Sequence, residues 1–501
     1  MTLDFAQAVE QRLPHLRVPP PERTGTLVRL VGLTLETRGI MAPVGACCEV
    51  VGQHGHRIEA EVVGFNDKTL FLMPFTDPVG VGPGDMVRIL HRSSQVALGP
   101  ALLGRVIDGR GQPLDGKPAP VCEESLALMG RPLNPMERGP IEHVLDVGVK
   151  AINGVLTVGQ GQRIGLVAGS GVGKSVLLGM LTRFTKADIV VIGLIGERGR
   201  EVQAFIQESL GEEGLAKSVV IAAPANVSPV MRLKATHMTH VIAEYFRDQG
   251  MNVLMLCDSL TRVAHAQREI GLAIGEPPTA KGYPPSVFAL LPNLIERGGV
   301  GRHGHGSITA IYTVLAEGDD ANDPIVDIAR ASLDGQVMLS RKLADAAHYP
   351  AIDLTGSISR LMQSLLGPED LKMSNRLRRL WTLYQQNLDL IQVGAYERGS
   401  NPEVDEAIQL HERIVSPLHR KFVECRNKRQ TSQPGDFCRH GFGKSGGGIQ
   451  TGADRSATDG QVVDIFQSII NTVQVVIQHT DVPGELLAQG ERRGVLHVCA
   501  A

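Results

Sequence analysis

The sequence predicts an α/β protein with three parts: a small β-barrel, a core built on a parallel sheet, and a helical C-terminal domain. Between residues 25 and 98, short β-type runs are separated by glycines, a pattern typical of a small barrel or sandwich. From residue 151 to 366, apolar β-branched strands alternate with longer helical stretches, which indicates a doubly wound parallel sheet with crossover helices. With 501 residues, the chain is also too long for one compact core.

The regions around the predicted sheet have simpler patterns. Residues 1–24 predict an amphipathic helix and a Pro-rich break, and residues 99–150 are turn-rich and predict a linker. Residues 367–424 have helical periodicity and predict the C-terminal helical domain. The tail 425–501 begins with a stretch rich in Gly, Ser and Gln, and we expect an extension without a fold of its own. Within it, residues 461–479 fit an amphipathic helix or a β-branched strand, and periodicity does not decide between them.

The composition argues against several classes of protein. Lys and Arg number 50 against 53 Asp and Glu, and aromatic residues are 4% of the chain, so a nucleic-acid coat or a base-stacking platform is not expected. The seven cysteines form no CxxC pair, which predicts reduced thiols in a cytoplasmic protein. The chain begins without a secretory signal, and its apolar runs are too short to span a membrane. We therefore expect a soluble protein that meets a membrane only through a partner or a surface contact.

The strongest chemical signal is a glycine-rich loop between a predicted strand and a predicted helix. Its residues are Ala168, Gly169, Ser170, Gly171, Val172, Gly173, Lys174 and Ser175. Such a P-loop allows consecutive backbone N–H groups to surround the phosphates of a nucleotide. Lys174 would reach the β- and γ-phosphates, and the hydroxyl of Ser175 would bind Mg²⁺. Ala168 stands where the strict pattern has Gly, but the glycines nearest the phosphates are present.

Two carboxylates follow other predicted strands. Asp258 ends the apolar run 253–257, and an acid at the C-terminal end of a parallel strand lies in the crevice where α/β sheets bind ligands. It would hold Mg²⁺, directly or through water. Glu197 follows another strand, within the charged segment 196–201, and would orient and polarise the water that attacks the γ-phosphate. The alternative for this segment is a solvated charge cluster that opens a helix.

Three other features carry weaker signals. A lone arginine such as Arg360 usually lies at the surface or in a salt bridge, so the sequence pattern alone assigns it no role. His303 and His305 lie on a Gly-rich stretch that predicts a solvated loop rather than a metal site. A second Gly-Lys-Ser, at 443–445, follows no strand and has Cys438 where the first Gly should be, which argues against a second P-loop.

Several long stretches justify naming a family. Among them are GRVIDGRGQPLDG, GLIGERGREVQAFI, CDSLTRVAHAQREIGLAIGEPP and KGYPPSVFALLPNLIERGG. On these stretches, residues 100–400 closely resemble the flagellar and type III protein-export ATPases, a family similar to the catalytic subunit of rotary ATP synthases. The resemblance implies a P-loop NTPase core of the RecA and rotary-ATPase type. It also implies a homo-hexameric ring that hydrolyses ATP, with Mg²⁺, at its subunit interfaces.

The same resemblance implies roles for individual residues. The residues implied in catalysis are Lys174, Glu197, Arg198, Arg262 and Arg360. Arg262 matches a family arginine near the γ-phosphate, and Tyr349 matches the aromatic residue that packs on adenine. Arg360, in SISR, matches the arginine finger that enters the site of the neighbouring subunit. Ser175 and Asp258 would lie on the metal side.

The resemblance also implies partners and a location. The partners are a stator-like regulator that binds the N-terminal helix, membrane proteins of the export gate, a central stalk protein and chaperone–substrate complexes, and no nucleic acid is expected. The location would be cytoplasmic and peripheral at the inner face of the cytoplasmic membrane, through the export apparatus. MRLKATHMTHVIAEYFRDQGMNV and VGLTLE look more like the flagellar branch than the virulence injectisome branch. We therefore predict ATP hydrolysis that energises or regulates unfolding and export of flagellar proteins.

Four alternatives remain at this point. The first is the ATPase of a virulence injectisome. A non-catalytic ring subunit would be expected to lack the catalytic carboxylate, whereas Lys174, Glu197 and Asp258 are all present. A subunit of an ion-driven synthase is less favoured, because one chain carries both the Glu197 motif and the candidate arginine finger. An RNA translocase would need stacking aromatics and a basic groove, and the aromatic residues of the N-terminal β region are only Phe65, Phe71 and Phe75.

Overall fold

The structure, a computed structural model, describes residues 23–52, 55–91, 94–131, 133–316, 323–412 and 414. Its strands are β1 (Gly25–Val31), β2 (Thr34–Arg38), β3 (Cys47–Val51), β4 (Arg57–Asn66), β5 (Thr69–Pro74), β6 (Met86–His91), β7 (Gln95–Leu98), β8 (Arg105–Ile107), β9 (Glu124–Ala127), β10 (Arg163–Ala168), β11 (Ile189–Ile195), β12 (Ser218–Ala223), β13 (Asn252–Asp258), β14 (Gly299–Val300), β15 (Ser307–Leu315), β16 (Gly335–Leu339) and β17 (Ile352–Ser359). Its α-helices are Lys150–Val155, Lys174–Phe184, Gly199–Ala204, Gly211–Ala216, Pro229–Asp248, Leu260–Ala273, Pro285–Ile295, Pro324–Ser332, Arg341–Asp345, Met362–Leu365, Pro368–Gln392 and 402–412. The predicted N-terminal helix, the second Gly-Lys-Ser and the tail 425–501 lie outside the described residues.

Strands β1 to β6 form a closed antiparallel barrel. Their order is β1-β2-β5-β4-β3-β6, and β1 pairs with β6 to close it. In β4, Ile58, Ala60 and Val62 alternate with more exposed residues, so one face of the strand points into the barrel. Leu35 of β2 and Leu72 of β5 are opposite each other and fully buried. The barrel that the glycine-separated runs predict is therefore confirmed.

The core is a mostly parallel sheet with helices on both faces. The strand order is β17-β16-β10-β15-β13-β11-β12-β8, with β14 beside β15, and β17 and β14 are antiparallel to their neighbours. Strand β11 shows why its sequence is apolar throughout: Val190, Ile192 and Leu194 face one apolar cluster, and Val191 and Ile195 face the other. The predicted P-loop-type α/β core is confirmed. Because these strands are parallel, the C-terminal ends of β10, β11 and β13 lie together at one end of the sheet.

Residues 99–150 are more than the predicted linker. Strand β8 in this segment pairs in parallel with β12 and extends the core sheet by one strand, and β9 pairs with β7. A salt bridge from Arg105 to Asp115, at 2.7 Å, stabilises the turn that follows β8. Three residues are too few for periodicity to reveal a strand, which is why the sequence pattern missed it.

The C-terminal helices pack on the core next to the β17 edge. Leu377, Leu380 and Trp381 of the helix Pro368–Gln392 are buried in the same apolar cluster as Leu410 of the following helix. The predicted C-terminal helical domain is therefore confirmed. None of the described helices is both long and apolar enough to cross a membrane.

Candidate functional site

The glycine-rich loop has the conformation that a phosphate-binding loop requires. Strand β10 ends at Ala168, and the 11-residue helix Lys174–Phe184 begins directly after the loop. Gly171 and Gly173 have φ angles of 80° and 88°, in the left-handed region where side chains cause strain. The N–H groups of the first helical turn have no carbonyl partner within the helix, and the helix dipole makes this end positive. Ser175 is exposed in the same turn.

Lys174 lies between two carboxylates at the C-terminal ends of the parallel strands. Its Nζ is 2.9 Å from Oε1 of Glu197 and 2.5 Å from Oδ1 of Asp258. The sheet produces this geometry, because β11 and β13 are parallel neighbours with Leu194 opposite Asp258, and Glu197 follows two residues after β11. The Asp258 side chain is 5% exposed, so the ion pairs are shielded from water. The structure thus brings together three residues that the sequence analysis selected separately.

The charges of this cluster do not balance. Burial alone would lower the pKa of the Lys174 ammonium, but the carboxylates of Asp258 and Glu197 outweigh burial, so this pKa is raised above its ordinary value. Burial raises the pKa of the Asp258 carboxyl, and Glu197 acts in the same direction against the opposing effect of Lys174. One ammonium faces two carboxylates, which leaves a site that gains from additional positive charge such as a divalent cation.

Thr313 is a member of the cluster that the sequence analysis missed. It lies in β15, is fully buried, and donates a hydrogen bond from Oγ1 to Oδ1 of Asp258 at 2.5 Å. This bond fixes the orientation of the carboxylate. No local sequence pattern singles it out, because β15 also carries Ser307 and Thr309, although it is the strand next to the one that ends in Asp258.

Arg262 lies against the turn that leads to Glu197. Gly196 has a φ of 71°, and a Cβ on it would lie 2.8 Å from Cβ of Arg262. Only glycine allows this close approach. The Nε of Arg262 is buried and has no hydrogen-bond partner within the described part of the chain. Arg198 instead points away from the cluster, with its side chain 77% exposed and 3.2 Å from Glu201.

Tyr349 packs beside the glycine-rich loop. Its ring carbons Cε1 and Cδ1 lie 3.5 and 3.6 Å from the position that a Cβ on Gly173 would occupy. Together with Val172 and Leu339, Tyr349 borders a small gap next to the start of the P-loop helix. The ring is therefore located where a base could stack beside phosphates held by the loop.

Arg360 lies at the opposite end of the sheet, where the parallel strand β10 begins. Its backbone N–H donates to the carbonyl of Asp334, and the carboxylate of Asp334 binds Arg163, the first residue of β10. Lys174 follows the other end of β10, and a strand of six residues spans roughly 17 Å. The exposed Arg360 guanidinium donates to the carbonyl of Arg330. The structure therefore does not bring Arg360 to the Lys174 cluster of its own chain.

The residues present fit a nucleotide and Mg²⁺. The open glycine loop, the free helix N-terminus and Lys174 suit phosphate oxygens. The hydroxyl of Ser175 and the carboxylate of Asp258 are oxygen ligands of the type that Mg²⁺ prefers.

Comparisons with known proteins identify the family. The model of the nucleotide-binding domain of the ATP synthase alpha/beta family matches residues 148–359. The model of the T3SS EscN ATPase C-terminal domain matches residues 366–432, which extends past residue 425. The flagellum-specific ATP synthase of Salmonella typhimurium is 55% identical over 417 residues, covering 81% of this chain and 91% of that protein. The chain belongs to the family of flagellum-specific and type III secretion ATPases.

Members of this ATPase family from both branches are similar to the chain. The type 3 secretion system ATPase of Xanthomonas euvesicatoria is 48% identical, covering 77% of this chain and 87% of its own length. The structure of assembled EscN with its central stalk EscO, from the type III secretion system of enteropathogenic E. coli, superposes with a TM-score of 0.72. That match has 40% identity and covers 81% of this chain and 99% of EscN. The predicted family and the predicted fold class are thus confirmed.

Proposed function

We propose that the chain hydrolyses ATP as a homo-hexameric ring, and that hydrolysis energises or regulates unfolding and export of flagellar proteins through a type III secretion apparatus. The observation that carries this proposal is the contact of Lys174 with both Glu197 and Asp258 at the mouth of the glycine-rich loop. A ring subunit that only binds nucleotide would not need the Glu197 carboxylate at this position.

Each residue of the cluster has a distinct task in this reaction. Lys174 exchanges its carboxylate partners for the β- and γ-phosphate oxygens. Glu197, released from Lys174, accepts a hydrogen bond from the attacking water and takes its proton. Asp258, held by Thr313, and Ser175 would hold Mg²⁺. The metal ion, when bound, neutralises charge on the phosphate oxygens.

Arginines complete the site from two directions. Arg262, in the first turn of its helix, packs against Gly196, and we assign it a place near the γ-phosphate. Arg360 is exposed at the opposite end of the sheet and does not reach the P-loop of its own chain. We assign it the role of an arginine finger acting in trans, where it stabilises charge in the transition state. Arg198 is exposed beside Glu197, and its predicted role near the site also stays a proposal.

The relatives support the flagellar branch and one of the predicted partners. The Salmonella typhimurium flagellum-specific relative is 55% identical, against 48% for the Xanthomonas euvesicatoria secretion-system ATPase. Because EscN has been solved with its central stalk, we propose a central stalk partner for this chain. A stator-like regulator, export-gate proteins and chaperone–substrate complexes are the further proposed partners, with the ring in the cytoplasm at the inner face of the membrane.

A dilution series tests whether a neighbouring copy completes the site. ATP turnover per molecule is measured at each concentration of the purified chain, with the oligomer mass read in parallel. We expect specific activity to rise steeply as hexamers form, because the site of a monomer has no neighbouring copy to supply the arginine finger. Activity that stays flat while the oligomer mass changes would refute a shared site.

A mixing experiment tests the finger itself. Arg360→Ala protein keeps the P-loop but lacks the finger, and Lys174→Ala protein keeps the finger but lacks the P-loop lysine. Each should therefore be inactive alone. Mixed rings pair an intact P-loop with an intact finger at some interfaces, and we expect partial recovery of turnover. No recovery in rings that are shown to contain both variants would contradict a finger supplied in trans.

A further inference from the structure

A row of neighbouring aromatic rings connects the C-terminal helices with the segment that carries Tyr349. We call His348, Trp381, Tyr384 and His411 the aromatic bridge. The ring centroid of Trp381 lies 5.6 Å from that of His348 and 5.8 Å from that of His411, and His411 stacks on Tyr384 at 3.5 Å. Trp381 and His348 are buried, and Tyr384 and His411 are half-buried, so the bridge begins in the core and ends near the surface.

The backbone before Tyr349 fixes the direction of His348. The helix Arg341–Asp345 ends with two hydrogen bonds, from His348 N–H to the Leu343 carbonyl and from Ala347 N–H to the Ala344 carbonyl, at 2.8 and 2.9 Å. Ala347 has a φ of 56°, which completes a Schellman-type helix end. His348 is thereby held in the core, and the next residue is the tyrosine beside Gly173.

We propose that Trp381 is a positioning residue for the base end of the nucleotide site. Packed on His348, it keeps the Tyr349 ring in place to stack on a purine base, and it makes the C-terminal helix pair respond when the base binds. The inference rests on the proposed function, because it assumes that the glycine-rich loop holds the phosphates of the same nucleotide. A partner that shifts the helix Pro368–Gln392 would then change the affinity of the site for the base. Thermodynamic linkage requires that the base change the affinity for that partner by the same factor.

A requirement for core volume alone does not explain the choice of tryptophan. The indole N–H of Trp381 is buried and finds no acceptor within the described residues. A buried donor without a partner is unfavourable, and a phenylalanine or leucine would fill this region without one. The large ring is needed to reach His348 on one side and His411 on the other.

The fluorescence of the unmodified protein tests the proposal directly. Trp381 is the only tryptophan in the chain, so the whole tryptophan emission reports on the bridge. We expect Mg·ADP to change this emission with the same midpoint as binding measured by equilibrium dialysis. In Tyr349→Ala protein at saturating Mg·ADP, we expect bound nucleotide without the emission change.

The outcomes separate this inference from the proposed function. Binding of Mg·ADP to wild-type protein with unchanged emission would overturn the bridge and leave the ATPase proposal intact. The same emission change in Tyr349→Ala protein would also overturn it, because the signal would then bypass Tyr349. Absence of Mg·ADP binding to the wild-type ring would overturn the proposed function itself, and the bridge with it.

Kinetics supply a second readout that a purely structural role would not move. Trp381→Ala should raise the KM for ATP about 3- to 10-fold with kcat within twofold, the range expected for losing one aromatic stack. Trp381→Phe keeps a smaller ring beside His348, and its KM should lie between that of Trp381→Ala protein and that of the wild type. Leu377→Ala, in the same helix and apolar cluster, is the matched control. An equal rise of KM in Leu377→Ala, or a KM that Trp381→Ala leaves unchanged, would refute the positioning role.

Discussion

Replacing Glu197 by glutamine separates nucleotide binding from hydrolysis. The amide keeps the shape of the side chain but cannot take a proton from water. Loss of a positioned general base reduces turnover by about 10²- to 10⁴-fold, and we expect kcat of Glu197→Gln protein to fall by this amount.

The same substitution should preserve or tighten ATP binding. In the wild type, Lys174 is shared by Glu197 at 2.9 Å and Asp258 at 2.5 Å, so one ammonium faces two carboxylates. Glutamine removes one negative charge close to the incoming phosphates and leaves the Asp258 contact in place. Across a partly screened gap this charge is worth on the order of 1 kcal/mol, which corresponds to about fivefold in Kd.

Single-turnover phosphate release and equilibrium dialysis of ATP measure the two quantities independently. Glu201→Gln is the matched control, since Glu201 is an exposed carboxylate four residues along the chain that pairs with Arg198. This control should stay within about twofold of wild-type turnover. Turnover of Glu197→Gln protein within tenfold of the wild type would show that another group activates the water. Weakened ATP binding would show that Lys174 depends on Glu197 for its position.

Three further predictions concern the turn before Glu197, the junction of barrel and core, and a buried histidine. Gly196→Ala should destabilise the protein by about 1–2 kcal/mol, because φ is 71° there, and should also lower turnover by displacing Arg262; melting temperature and phosphate release measure the two effects. Lys234→Met leaves Glu61 without its ion-pair partner at 2.6 Å and should cost about 3 kcal/mol in a denaturant titration, with partial recovery in the double variant that adds Glu61→Gln; equal stability of the two variants would contradict this account. Burial lowers the pKa of His240 well below 6.5, and the charge of Arg297 adds to this effect. The unfolded chain therefore binds an extra proton below about pH 6.5, so the stability of the protein falls as the pH drops below that value. The melting temperature of His240→Asn protein should fall less steeply with acid than that of the wild type.

The elements that could be predicted from the sequence are those with local patterns. The P-loop is contiguous, and two of its three glycines, Gly171 and Gly173, have positive φ angles. Strand β4 alternates because one of its faces is inside the barrel, and β11 is apolar throughout because both of its faces are covered. Strand β8, with three residues, has no such pattern and became visible only through its pairing with β12.

The sequence by itself determined the chemistry of this protein, and the tertiary structure decided which groups meet. The residue types that bind phosphate, Mg²⁺ and water are in the motifs, but Lys174 lies 23 and 84 positions from its two carboxylate partners. Their contact, and the hydrogen bond from Thr313, depend on the order of β11, β13 and β15 in the sheet. Arg360 lies at the end of the sheet away from the P-loop because β17 runs antiparallel to β16. Strand order and direction result from packing between distant segments, and no local pattern of residues contains them.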